Sequence, residues 1–127
     1  QNKFLIQGKA LWEEDENKKP YFLKIAIPKV KEDWKNLSKI TKEWIEKEKD
    51  NSEAWYEYGF ANEKLSNLNI AQNAYNKSIH LDKNNSDSLY RSALLYKNEG
   101  NLNKAKLIQK NLLIIDEVKA LKLEKLL

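Results

Sequence analysis

From residue 33 onward, apolar side chains return at steps of three and four. Trp34, Leu37, Ile40, Trp44 and Ile45 mark one stripe, the spacing that lines one face of an α-helix. The polar run EKEKDNS (46–52) ends it and offers Asn51 or Ser52 as the next N-cap. A second helix carries Trp55, Tyr58, Gly59, Asn62 and Leu65 on one face. After the turn SNLN (66–69), a third carries Ala71, Ala74, Tyr75, Ser78 and Ile79, and Asn69 with Gln72 resembles a capping box. The turn LDKNNSDS (81–88) leads to a fourth helix with Leu89, Ala93, Leu94 and Tyr96. Gly100 and Asn101 then break the chain before a fifth with Leu102, Ala105, Ile108, Leu112 and Ile115. Asp116 is a candidate cap for a last helix bearing Val118, Leu121, Leu123, Leu126 and Leu127.

Residues 1–28 are read less directly. Pro28 interrupts any helix over 20–31, because a proline inside a helix removes a hydrogen bond and clashes with the preceding turn. Two short helices over 3–15 and 20–27 are the preferred reading. The alternative is a β-hairpin, since Phe4, Ile6, Gly8, Ala10 and Trp12 alternate ahead of a polar run and YFLKIAIP (21–28).

The segments 52–85 and 86–119 share one order of helix, short turn, helix, longer turn. Trp55 aligns with Leu89, Gly59 with Ala93, Ala71 with Ala105 and Leu81 with Ile115. This 34-residue period of helix pairs resembles the tetratricopeptide repeat (TPR). In the first unit Trp55, Gly59, Ala71, Tyr75 and Ser78 stand at the family's Trp, Gly, Ala, aromatic and second small sites. The second keeps Ala93, Tyr96, Gly100 and Ala105, but has Gln109, Leu112 and Glu117 at the aromatic, small and terminal Pro sites. The expectation is an all-α, TPR-type solenoid of antiparallel helix pairs rather than an ordinary helical bundle. It forms a single domain with a segment of open structure (1–28), a degenerate repeat helix (29–51), two full units and a capping helix (120–127). Gly59, Ala71 and Ser78 are then small so that two helices can cross closely, and Tyr75 fills the space between repeats.

Composition removes several functions. The 33% of charged residues give a net charge of +4, spread evenly along the chain, and Arg91 is the sole arginine. Nucleic-acid binders concentrate Lys and Arg on one face, so nucleic acid is not an expected partner. There is no cysteine and one histidine, His80, which reads as a residue at a helix end. No pair has metal-ligand spacing, and the three glycines form no phosphate loop. DKNNSDS starts like a calcium loop at Asp82, but Asp87 and Ala93 stand where that loop needs Gly and Glu. Glu13, Glu14 and Glu16 read as a solvated charge run. The expectation is no enzyme, no catalytic residue, no metal and no cofactor. No run reaches the ~20 apolar residues of a membrane helix. The chain starts at Gln1 rather than Met, which suggests upstream processing or a cut; it reads as soluble, cytoplasmic or periplasmic, with a lean to exported.

Binding is what remains. The resemblance implies a concave groove lined by the first helix of each pair, holding a peptide or helix of another protein. Carried onto this chain, the groove residues are Glu53, Tyr56, Glu57, Phe60, Glu63 and Lys64, then Asp87, Tyr90, Arg91, Leu94, Lys97 and Asn98. Tyr56, Phe60, Tyr90 and Leu94 would form an apolar stripe rimmed by mixed charge, with the aromatics and Arg that binding hot spots favour. TPR receptors for the C-terminal carboxylates of heat-shock chaperones carry Lys and Asn where this chain has Tyr56 and Phe60, so that role is not implied. An apolar groove better resembles members that chaperone or scaffold partner segments, as in bacterial secretion and envelope assembly. The competing readings are an assembly subunit, its stripe covered by its own N-terminus or by a second copy in a homo-oligomer, and an accessory domain of a longer enzyme.

Overall fold

The computed structural model describes residues 18–127 and, before them, the backbone of residues 5–6 and 9–10. Strands β1 (Leu5–Ile6) and β2 (Lys9–Ala10) pair antiparallel, Leu5 opposite Ala10. A helix over 3–15 cannot contain them. A hairpin returning through 21–27 is also excluded, because that stretch is helical. Helices follow in order: α1 (Tyr21–Lys24), α2 (Ala26–Val30), α3 (Trp34–Lys47), α4 (Ser52–Lys64), α5 (Leu68–Leu81), α6 (Ser86–Asn98), α7 (Leu102–Ile115) and α8 (Glu117–Leu126). Each of α3 to α7 packs on the helix before it and the one after. None of the described helices is long and apolar enough to cross a membrane.

The split between α1 and α2 follows from Pro28. It falls in the first turn of α2, where a helix has no internal acceptor for its N–H groups, so the missing donor leaves nothing unmade. The segment 21–30 is thereby the first helix of a degenerate unit, broken in two, and α3 is its second.

The period is written most clearly in the turns. Glu32, Ser66 and Gly100 lie 34 residues apart and all have positive φ, at 56°, 64° and 86°. Each closes the same helix ending. The N–H groups of Glu32, Ser66 and Gly100 reach the carbonyls of Lys29, Glu63 and Lys97. Those of Asp33, Asn67 and Asn101 reach Pro28, Asn62 and Tyr96 at 2.8–2.9 Å. This paired bonding is the left-handed helix ending in which glycine is most at ease. The same three residues, Asp33, Asn67 and Asn101, then stand at the N-caps of α3, α5 and α7. The expected capping box at Asn69 is displaced accordingly: Asn69 lies inside α5, and Gln72 donates instead to Ser92 of the next unit at 2.6 Å.

Gly59 marks the closest crossing. A Cβ built on it would lie 2.8 Å from both Cδ1 and Cε1 of Tyr75 and 3.3 Å from the Ala71 carbonyl oxygen. Tyr75, Ala71 and Ser78 are fully buried. Alanine at 59 gains about 1 kcal/mol of helix propensity but forces the buried ring aside, an overpacking cost of about 1–3 kcal/mol. Gly59→Ala is therefore expected to lower unfolding free energy in urea by about 1 kcal/mol. A variant more stable than wild type would mean that the ring has room to move.

Burial departs from single stripes where a helix is covered twice. In α4, Ala54, Glu57 and Ala61 are buried as well as Gly59 and Asn62, because α3 and α5 flank it. At the far end the reverse holds. In α8 only Ala120 and Leu123 are buried, packed on α6 and α7, while Val118, Leu121 and Leu126 stay exposed. This helix starts at Glu117 with the expected cap, Asp116, accepting from the Lys119 N–H at 3.1 Å, so it extends three residues ahead of the capping segment 120–127.

Candidate functional site

The first helices of the three units, α2, α4 and α6, converge on one ring. Tyr56 and Phe60 are one turn apart on α4 and stack at 6.2 Å between centroids. Trp34 meets Phe60 edge-on at 5.6 Å, and Tyr56 leans on Tyr75 at 5.8 Å. Around Phe60 stand Arg91 at 5.1 Å, Lys64 at 5.3 Å and Lys29 at 5.8 Å. One half-buried ring thus receives a cation from each of three consecutive units, an arrangement favoured by the negative face of the π-system. Lys64 also lies 5.7 Å from the Trp34 ring.

Carboxylates hold two of these cations. Lys29 pairs with Glu57 at 3.0 Å and Arg91 with Glu63 at 3.7 Å. Glu63 also accepts from the Tyr75 hydroxyl at 2.6 Å. Near the N-terminal ends of α4 and α6 the charge is acidic. Glu53 is exposed as a residue, but partial desolvation of its carboxyl, then Glu57 and Asp87, push that carboxyl above its ordinary range. Burial raises Glu57 too, against the pull of Lys29. Burial and Asp87 push the Tyr56 phenol up to about 12, so it remains protonated. Asp87 is held by Lys119 at 3.2 Å.

Of the expected groove residues, Tyr56, Glu57, Phe60, Glu63, Lys64 and Arg91 meet around this cluster. The apolar stripe itself is divided. Tyr56 packs with Ala71, Tyr75 and Leu95, whereas Phe60 packs with the Leu37–Trp44–Ala61 core. Tyr90 and Leu94 pack with Leu89, Ala93 and Leu112. Glu53, Asp87 and Asn98 are exposed and Lys97 is half-buried. Glu57 is no rim residue: it is 5% exposed. Lys29 and Trp34 were not among the expected residues. Counting back one period from Glu63 lands on Lys29, so the repeat register held that signal once extended into the broken helix.

The cluster offers apolar and aromatic surface edged by charge. Among the described residues, no group of three His, Cys, Asp or Glu side chains could hold a metal ion.

A family model described as tetratricopeptide repeat matches residues 74–106, from mid-α5 through α6 into α7. No curated protein matches the chain. The match spans the junction between two units whose turns and N-caps repeat at 34 residues; match and helical fold together support a TPR-type repeat protein.

Proposed function

We propose that the chain is a non-catalytic interaction module that holds a peptide or helix of a partner protein in the groove lined by α2, α4 and α6, in a scaffold or chaperone-like role. The observation that carries this reading is the Phe60 cluster. Stacked rings, half-buried on the core, with a cation from each unit make an apolar, charge-edged surface on their outer side. The TPR repeat supports an interaction module and a protein partner. Glu53, Tyr56, Glu57, Phe60, Lys64, Tyr90, Arg91, Leu94 and Lys97 are the proposed groove residues.

The test is selection of phage-displayed random peptides on the full chain, with Phe60→Ala/Lys64→Ala as the counter-target. Circular dichroism first establishes that both are equally helical. The expected result is a sequence consensus on wild type that the variant does not retain. Equal enrichment on both, or enrichment on neither, would overturn groove binding. A dimer seen by light scattering in the latter case would move the reading to self-association.

A further inference from the structure

We propose that the partner segment enters this groove with a basic residue, Lys or Arg, seated between α1–α2 and α4. The inference rests on the groove reading above and adds the chemistry of the ligand.

Between these helices lies a pocket of about 400 Å³. Phe22, Ile25, Ala26 and Val30 give it apolar walls, Lys29 lines it from α2, Trp44 from α3, and Glu53 and Glu57 from α4. Two of these residues carry unmet polar atoms. Glu57 is 5% exposed; its Oε2 accepts from Lys29 at 3.0 Å, while its Oε1 is buried with no partner. The indole N–H of Trp44, also 5% exposed, has no acceptor. A buried polar atom without a partner costs free energy that a ligand supplying the missing bond recovers.

The charge balance selects the ligand. Glu57 and Asp87 disfavour the ionised form of Glu53, and Asp87 that of Glu57. Against them stand Lys29 on Glu57 and Lys119 on Asp87. Lys29 also acts on Glu53, and Lys119 is shared between Asp87 and Asp116, so carboxylates still outnumber cations here and the pocket favours a cationic donor over a neutral or anionic one. The walls favour a cation on an aliphatic stem, because Lys and Arg lay their methylenes along apolar surface and keep the charged head in polar surroundings. A basic residue in a peptide also brings a backbone carbonyl, the acceptor that the Trp44 N–H lacks; a free ion brings neither stem nor carbonyl.

The experiment pans random phage-displayed peptides on wild type, on Glu53→Gln and on Glu53→Gln/Glu57→Gln. The most enriched peptide is then synthesised with its basic residue and with norleucine in its place. We expect Lys or Arg flanked by apolar residues in the wild-type pool. The synthetic peptide should bind the double variant about tenfold more weakly, and the norleucine exchange should weaken binding to wild type more than to that variant. Glu53→Gln alters an exposed residue, so the test survives if the Glu57 exchange does not fold. Enriched peptides without Lys or Arg, or affinities unmoved by both variants, would overturn the basic ligand and leave the groove standing. No enrichment on wild type would overturn the groove, and this inference with it.

Discussion

Tyr75→Ala is expected to lower the stability of the array by about 3–5 kcal/mol, the range for truncating a buried aromatic. The ring is fully buried and is shared between units. It rests on Gly59, approaches Tyr56 at 5.8 Å and clusters with Ala71 of its own helix and Leu95 of α6. Its hydroxyl donates to Glu63, the carboxylate that also faces Arg91. Burial and that bond hold the phenol's pKa far above its ordinary range, so it donates at any physiological pH. Tyr75→Phe keeps the ring and removes one charge-assisted bond, so about 1–2 kcal/mol is expected. Urea unfolding followed by circular dichroism measures both. The cause is isolated by a double-mutant cycle with Gly59→Ala. In wild type that exchange pushes a methyl group into the ring. In the Tyr75→Ala background the ring is gone, and the methyl group gains helix propensity while filling part of the cavity. The sign of its effect should therefore invert. The same destabilisation in both backgrounds would show that the ring contact is not what keeps residue 59 small.

The sign inversion matters because it tests a relation that the sequence alone displayed. Gly59, Ala71 and Tyr75 fall at the family's spacing, and periodicity from residue 33 onward located every helix from α3 to α8. What periodicity could not display is burial on a second face. Glu57 reads as a solvated groove residue because its own helix offers it no partner. It becomes a buried ion because α2 brings Lys29 to it from the degenerate unit. That unit was the least legible part of the chain, since Pro28 splits its first helix and erases the apolar spacing. Lys29 was missed for the same reason, and Trp34 because it read only as part of the α3 stripe; with them went two of the five groups around Phe60. At the other end, Val118, Leu121 and Leu126 look like core by composition. They are exposed because α8 packs chiefly on α6 and α7. Tyr56 and Phe60 were legible as outward aromatics, but their division from Tyr90 and Leu94 depended on which neighbouring core each ring joins.

Ser78 provides the second large effect, and it separates two explanations of a small residue. If size alone mattered, Ser78→Ala would be neutral or stabilising. The structure gives the hydroxyl three partners. It lies 2.6 Å from the Ser88 hydroxyl and 2.9 Å from that of Ser52, and accepts from the Asn85 amide at 3.1 Å. Asn85 also bonds the Ser52 hydroxyl and caps α6 through the Ser88 N–H. The node joins α4, α5 and α6 across the boundary between units, and Ser78 and Ser88 are fully buried. Ser78→Ala should therefore cost about 1–3 kcal/mol, because buried donors lose their acceptor while nothing apolar is gained. One period earlier and later the position holds Trp44 and Leu112, both buried in apolar cores. Copying the later unit with Ser78→Leu adds overpacking to the orphaned polar groups, for a total of about 3–5 kcal/mol. Denaturation of the two variants decides between the accounts. A stable Ser78→Ala would reduce the node to a by-product of close packing. A loss in Ser78→Ala that Ser88→Ala shares without adding to it would make the hydroxyls one coupled unit that sets how the two repeats stack.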